Sequence, residues 1–184
     1  MSELASEPPG GPVSSGPAQM WAGWRSGYIR STATAPAPGD SSECIFCRIV
    51  KSGEPDEATY IVRRREECFA VLNAFPYTNG HLMVMPVRHI ADLEDLEEEE
   101  SACLWSLVTD AVRALKSAYA PDGINVGTNL GRAAGAGIPG HLHVQCLPRW
   151  FGDTSFMTSL ADVRVLSEDL SETWARLREA WPES

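Results

Sequence analysis

Five segments downstream of Cys44 show the patterns of apolar positions that are typical of β-strands, and together they predict a β-sheet. Strands are expected where β-branched and aromatic residues recur at every second position between turn residues. The five segments are residues 58–65, 68–75, 81–87, 123–130 and 141–148. Charged residues between the first two predict a hairpin turn. Because residues 81–87 are almost continuously apolar, we expect this strand to lie buried in the middle of the sheet.

Two further segments show helical spacing. In residues 101–119 the apolar positions recur every three or four residues, and Pro121 ends the pattern. These positions are Leu104, Leu107, Val108, Ala111, Val112 and Leu115. Residues 167–181 predict a C-terminal helix with Ser167 as its N-cap. The chain is therefore predicted to have an α+β fold, with an antiparallel sheet, one long helix and a C-terminal helix.

The composition of the chain changes at Cys44. Residues 1–43 are rich in Pro, Gly and Ser, which predicts a disordered N-terminal arm and linker before a single domain at residues 44–184. Trp21 and Trp24 interrupt this composition. They are compatible with an arm that packs on its own domain or with a contact to a partner subunit.

Charge and hydropathy limit the classes of function. The net charge is −10, whereas a nonspecific nucleic-acid binder is usually basic, so no nucleic-acid partner is expected. The chain contains no apolar run of membrane-spanning length and no signal-peptide pattern, so no membrane association is expected. Five cysteines, two of them in a CxxC pair, indicate a reducing compartment such as the cytoplasm, with metal or redox use more typical than disulfides.

The stretch HLHVQC, residues 141–146, carries two of the four histidines of the chain. In a β-strand, His141, His143 and Gln145 would share one face, and Leu142, Val144 and Cys146 the other. The second face suits an apolar core. The first is a row of nitrogen donors and acceptors that a core would have to satisfy at a cost, and this asymmetry indicates a functional site.

The CxxC pair, Cys44 and Cys47, is open to three interpretations. The two cysteines could be buried core residues, a redox pair, or two of the ligands of a metal site. Zinc needs two more ligands, and His89 and His141 would complete a tetrahedral set of two nitrogens and two sulfurs. Sequence spacing alone does not show that these four residues meet. Cys68 and Cys103 lie in apolar stretches and are predicted to belong to the core.

The segment GRAAGAGIPG, residues 131–140, is a Gly-rich loop. Glycines allow backbone N–H groups to turn towards an anion, although no Walker A sequence follows. The competing interpretation is a flexible hairpin loop. Asn129, at its start, would either bind phosphate or cap the turn.

The segment HLHVQCLPRW, residues 141–150, resembles the histidine-triad (HIT) motif, in which histidines alternate with apolar residues. Residues 69–93 and the CIFCRI segment at 44–49 add to the resemblance. It implies a half-barrel-like α+β fold that binds nucleoside phosphates, usually as a homodimer. It also implies that His143 attacks the α-phosphate and forms a nucleotidyl-histidine intermediate.

One position departs from the triad, because Gln145 stands where the third histidine would be. The sequence His-x-His-x-Gln resembles the branch containing diadenosine-tetraphosphate phosphorylases, which pass the nucleotidyl group to phosphate. A histidine can donate a proton to a leaving group, whereas glutamine can only bind oxygens. We therefore expect a nucleotidyltransferase acting on dinucleoside polyphosphates, with inorganic phosphate as a possible acceptor. A HIT hydrolase and a nucleotide-binding module with little catalysis are the alternatives.

The resemblance also implies roles for other residues. His81 matches a histidine that supports the active site through hydrogen bonding, Asn73 a residue that reaches the ribose, and Asn129 a polar residue near the phosphates. Gly137 stands where the family often has Ser or Gln, which would leave phosphate binding to backbone amides. By this resemblance the phosphate-binding amides belong to Gly135, Ala136 and Gly137. Arg149 is expected either to contact phosphate or to pair with an acidic residue.

The resemblance further implies a structural zinc that is held by Cys44, Cys47, His89 and His141.

Overall fold

The computed structural model describes residues 44–153 and 166–183, so the predicted disordered arm and its tryptophans lie outside the described residues. The helices are α1 (Ile45–Lys51), α2 (Asp56–Thr59), α3 (Glu98–Tyr119) and α4 (Leu170–Glu179). The strands are β1 (Ile61–Arg64), β2 (Cys68–Leu72), β3 (Leu82–Pro86), β4 (Gly123–Gly127) and β5 (Val144–Arg149). Short 3-10 turns cover Leu93–Asp95 and Arg132–Ala134.

The five strands form one sheet in the order β1-β2-β3-β5-β4, and every neighbouring pair is antiparallel. Strand β3 occupies the centre, which confirms the prediction from its continuous apolar run. Its register against β5 pairs Leu82 with Cys146 and Met83 with Gln145. The predicted α+β class is confirmed.

Apolar layers cover both faces of the sheet. On one face α3 packs over the sheet and α4 lies against β1 and α3, and the core on this side includes Leu142, Val144 and Cys146, as predicted for that side of the histidine segment. On the other face the residues around α1, including Phe46, pack over Phe69 and Met83. The histidine face is therefore also mostly buried.

The segment before β2 differs from the prediction of one strand over residues 58–65. Residues 56–59 form the short helix α2, which ends where Tyr60 adopts a left-handed φ of 56°. The strand begins only at Ile61. Helix α1 was not predicted at all, because seven residues are too few for a clear helical period. Packing of its Phe46 and Cys47 into the core holds it in place.

The last strand begins at Val144 and not at His141, so the prediction was wrong by three residues. The ladder with β3 ends at the pair Val84 and Val144. Beyond it the N–H of Leu142 donates to the carbonyl of Ile90 at 2.6 Å, outside the ladder. The chain therefore leaves the sheet where it carries its two histidines. The strands predicted at 68–75 and 123–130 likewise end earlier, at Leu72 and Gly127.

Both long helices start at capping boxes. Helix α3 begins three residues before the predicted start, because Glu97 and Glu100 satisfy each other's backbone N–H groups. Helix α4 is capped by Asp169, which accepts from the N–H of Glu172. The prediction of Ser167 as N-cap was wrong, since its hydroxyl accepts instead from the side chain of Asn79.

Within the described ranges, no helix combines the length and the apolar character needed to cross a membrane.

Candidate active site and metal centre

The four predicted metal ligands meet in the structure. The start of α1 supplies Cys44 and Cys47, the turn after β3 supplies His89, and the segment before β5 supplies His141. One ligand atom from each residue lies within 4.8 Å of those of the other three, and we call this group the metal cluster.

The distances inside the metal cluster fit a tetrahedral ion. The Nδ1 atom of His141 lies 3.4 Å from Sγ of Cys44 and 3.6 Å from Sγ of Cys47, and Nδ1 of His89 lies 3.3 Å from Sγ of Cys47. Zinc bonds of about 2.0–2.3 Å in tetrahedral geometry place neighbouring ligand atoms about 3.3–3.8 Å apart. The donor set and its spacing therefore both suit zinc.

The imidazole of His141 has the tautomer and the neutral state that a metal ligand requires. Its Nε2–H donates to the carbonyl of Pro86 at 2.9 Å, so Nδ1 carries the lone pair that faces the thiols. Burial lowers the pKa of His141 to about 4, which keeps the ring neutral. Burial, followed by the neighbouring Cys44, raises the pKa of the Cys47 thiol to about 11. A bound cation would have to displace that proton.

His143 has one defined tautomer. Its Nδ1 lies 2.8 Å from the carbonyl oxygen of His141, and a carbonyl can only accept, so Nδ1 carries the hydrogen. In the neutral ring the lone pair is then on Nε2. The side chain is mostly buried, with the residue 6% exposed. An imidazole held in this way can act as a nucleophile if a substrate reaches Nε2.

His81 and Gln145 form a second fixed pair. The backbone N–H of Tyr77 donates to Nδ1 of His81 at 3.2 Å, so the ring hydrogen is on Nε2. That Nε2 lies 3.1 Å from Oε1 of Gln145 and donates to it. The amide oxygen of Gln145 is therefore engaged, and its NH₂ group is left as a pair of donors.

Two residues that the sequence did not single out also hold the histidines. The ring of Phe46, inside the CxxC segment, packs with its centroid 5.5 Å from those of both His141 and His143. The hydroxyl of Thr128 donates to the carbonyl of His143 at 2.8 Å. An aromatic residue between two ligand cysteines was the available signal for Phe46. No sequence pattern indicated Thr128.

The Gly-rich loop uses much of its own hydrogen-bonding capacity. The amide of Gly135 donates to the carbonyl of Arg132, and the amide of Ala136 donates to that of Gly131. Two of the three amides expected to hold phosphate are thus engaged inside the loop, because its turns need them. The amide of Gly137 is the one these turn bonds do not use. The side chain of Asn129 packs close to Gly135.

Two other expected contact residues have protein partners. The Oδ1 atom of Asn73 accepts from the N–H of Phe75 at 2.9 Å, which leaves its amide NH₂ for a ligand. The guanidinium of Arg149 pairs with both carboxylate oxygens of Asp153. It also donates to Oδ1 of Asn125 at 2.8 Å. Of the two expectations for Arg149, pairing with an acidic residue is the one seen.

A family model described as HIT domain matches residues 54–151. The AP-4-A phosphorylase of Mycobacterium tuberculosis is 37% identical over 165 residues, which cover 89% of this chain and 84% of that protein. An uncharacterised HIT-like protein of Saccharolobus solfataricus is 33% identical over 129 residues, covering 70% of this chain and 90% of that protein.

Two solved structures are similar in fold. A Zn-bound histidine triad family protein from Mycobacterium smegmatis superposes with a TM-score of 0.62 at 31% identity, covering 77% of this chain and 94% of that one. A hypothetical histidine triad nucleotide-binding protein from Sulfolobus tokodaii gives a TM-score of 0.61 at 30% identity, covering 74% and 91%.

Proposed function

The chain belongs to the HIT domain family, and from this premise we propose that it is a nucleotidyltransferase that acts on dinucleoside polyphosphates. The observation that carries the proposal is the tautomer of His143, whose Nδ1 donates to the carbonyl of His141 and whose Nε2 is left with a lone pair. The similarity to a protein named AP-4-A phosphorylase supports the substrate class.

In the first step, Nε2 of His143 attacks the α-phosphorus of the substrate. A P–N bond forms, and the bond from this phosphorus to the bridging oxygen breaks, with its electron pair leaving on that oxygen. With diadenosine tetraphosphate the leaving group is ATP and the enzyme carries an adenylyl group. Because ATP departs as a stable anion, the step does not require a side chain that donates a proton.

Gln145 stabilises the phosphoryl oxygens in this step. Its amide oxygen accepts from His81, so the NH₂ group is the part that faces a ligand. Hydrogen-bond donors preorganised in this way contribute about 3–4 kcal/mol each in other enzymes. Asn129 and the amide of Gly137 are the further phosphate donors, and Gly135 and Ala136 shape the loop that presents them. Asn73 donates to the ribose.

In the second step, an oxygen of inorganic phosphate attacks the same phosphorus, the P–N bond breaks and ADP is released. His143 recovers its lone pair. The choice of phosphate over water follows from Gln145, which cannot act as a general base for water. A hydrolase, in which water takes the place of phosphate and AMP is released, is the second candidate.

The metal that we propose for the metal cluster is zinc, supported by the two-sulfur, two-nitrogen donor set and its spacing. Zinc bound by four protein ligands has no open coordination position, so it would contribute folding free energy and take no part in the reaction. His141 is joined to His143 by one intervening residue and by the carbonyl contact. A fixed His141 therefore also fixes the nucleophile.

We further propose that the protein acts as a homodimer. Strand β4 is an edge strand, and four of its five residues are exposed, including Val126. An edge without Lys or Pro is a ready surface for pairing with a second chain. Light scattering at several protein concentrations tests this, and a monomer at all of them refutes it.

Product analysis tests the function. The protein is incubated with diadenosine tetraphosphate, with and without inorganic phosphate. We expect ADP and ATP that appear only with phosphate. AMP and ATP would identify a hydrolase, and binding without products would identify a nucleotide-binding module.

A variant His143→Ala should remain folded by circular dichroism and lose turnover. Full activity of this variant would refute the mechanism, as would an adenylyl group trapped on another side chain.

A further inference from the structure

Three amide and guanidinium side chains lie along one face of β4 and β5. Alternation along β5 places Gln145 and Arg149 on the same face. The register pairs Asn125 of β4 with Leu147, which lies between them on that face. Directly paired residues share a face, so the side chain of Asn125 stands beside the line from Gln145 to Arg149.

Arg149 orients Asn125 as His81 orients Gln145. Its Nη1 donates to Oδ1 of Asn125 at 2.8 Å, so the amide NH₂ of Asn125 is left as the donor end. A guanidinium has five N–H groups, and the contacts to Asn125 and Asp153 use three of them. Two amides with engaged oxygens and a cation with two remaining donors thus follow one another along the face.

The positions of β4 that share this face with Asn125 are both glycine. Gly127 pairs with Gln145, and Gly123 pairs with Arg149. Neither has a positive φ, and a Cβ at either position would meet no atom within 4 Å. Backbone strain and crowding inside the described chain therefore do not account for these two glycines. Glycine weakens a strand and often marks a place where a ligand approaches closely.

We propose that this face is the subsite for the leaving group, with the departing polyphosphate passing over Gly127 and held by Asn125 and Arg149. The inference rests on the proposed function, because it needs a substrate cleaved at the phosphorus beside Gln145. At this end of the sheet Asn125 is exposed and Arg149 is half-buried, and the donors of the face continue from Gln145. Asp153 also lies at the far end, but both its oxygens are bound to Arg149, so it fixes the guanidinium in place.

The test compares two substrates with the same nucleotidyl group. Diadenosine tetraphosphate has a leaving group with three phosphates, whereas the 4-nitrophenyl ester of AMP has none. The variant Asn125→Asp is isosteric and keeps an acceptor for Arg149, so folding should be preserved. It places a negative charge beside the polyphosphate. We expect kcat/KM for the tetraphosphate to fall about tenfold and that for the ester to stay within about twofold.

Ala102→Asp is the matched control, since it adds the same charge to an exposed position on α3, on the other side of the sheet. This variant should leave kcat/KM unchanged for both substrates. If Asn125→Asp affects both substrates equally, or neither, the subsite is refuted while the proposed function stands. If the unmodified protein turns over neither substrate, the proposed function fails and the subsite fails with it.

Gly127→Val supplies a second readout that does not depend on charge. Valine suits a strand, and its side chain would stand over the proposed path. We expect kcat/KM to fall for diadenosine tetraphosphate and not for the nitrophenyl ester. Val126→Leu adds bulk to the opposite face of the same strand and should have no such effect. If Gly127→Val instead alters the oligomeric state and leaves the ratio of the two activities unchanged, the glycines serve contact with a second copy and the subsite is overturned.

Discussion

The imidazole of His81 donates from Nε2 to Oε1 of Gln145 over 3.1 Å, while its Nδ1 accepts from the N–H of Tyr77. Because Nδ1 of His81 accepts a hydrogen bond and Nε2 donates one, only one orientation of the Gln145 amide places its oxygen against Nε2. A free amide can rotate by half a turn and present its oxygen to a phosphate, which would repel it. From this geometry we infer that the buried histidine serves as a positioning residue for the neighbouring glutamine.

Replacement of His81 should lower turnover more than binding. In His81→Ala the amide of Gln145 loses its fixed orientation, and we expect kcat to fall about tenfold, or about 1.4 kcal/mol of transition-state stabilisation, with a smaller change in KM. His81→Gln keeps a side-chain donor and should restore part of the loss. Steady-state kinetics and thermal unfolding separate the effects. Equal kcat in the wild-type protein and His81→Ala would contradict this role.

Removal of one thiol should empty the metal cluster. Gently purified wild-type protein should contain about one zinc ion per chain, and Cys47→Ser much less, because a neutral hydroxyl is a poor substitute for a thiolate. Loss of the bound metal should also lower the Tm. Metal analysis by mass spectrometry measures this. Cys103→Ser, outside the cluster, is the control. Wild-type protein without metal would end the zinc proposal.

A hydroxyl at position 137 should tighten substrate binding. Gly137 has no positive φ and open space where a Cβ would lie, so a side chain fits there. In Gly137→Ser the hydroxyl can donate to a phosphoryl oxygen, and we expect KM for diadenosine tetraphosphate to fall about tenfold. Gly137→Ala adds the Cβ alone and should not reproduce the gain. An identical KM for all three proteins would place the phosphates elsewhere.

Stability should depend on pH through Glu100. Its hydrogen bonds to Arg88 lower the pKa of this carboxyl below the ordinary value of 4.5. A lowered pKa stabilises the fold above the unfolded-state value, and this contribution is lost as pH falls through the folded-state pKa. Glu100→Gln should therefore unfold more easily than wild type at pH 7, and the difference should shrink in acid.

Denaturant titrations at a series of pH values measure this dependence. Glu99→Gln, an exposed neighbour on the same helix, should behave like wild type. A difference between Glu100→Gln and wild type that persists unchanged into acid would show that the charge of Glu100 is not its source.

Hydrophobic periodicity predicted the main elements of the fold because burial on one face leaves a period of two or of 3.6 residues. It failed where a segment was short or left the sheet. Helix α1 has only seven residues, and His141 lies outside the ladder because Leu142 bonds to Ile90. The glycines of residues 131–140 predicted a loop, but not which of its backbone N–H groups are bound within the loop itself. The amides of Gly135 and Ala136 close their own loop, which composition cannot reveal.

The sequence by itself determined the period of the five strands and of the two long helices, the class of the fold, and which side chains are candidates for the chemistry. Those properties depend on residue type and on neighbours a few positions away. Only the tertiary structure decided that Cys44 and Cys47 lie against His141, nearly a hundred residues later, and that Asn125 stands beside Arg149. Such contacts depend on strand order and register, which are set by the packing of the whole domain and leave no local signal.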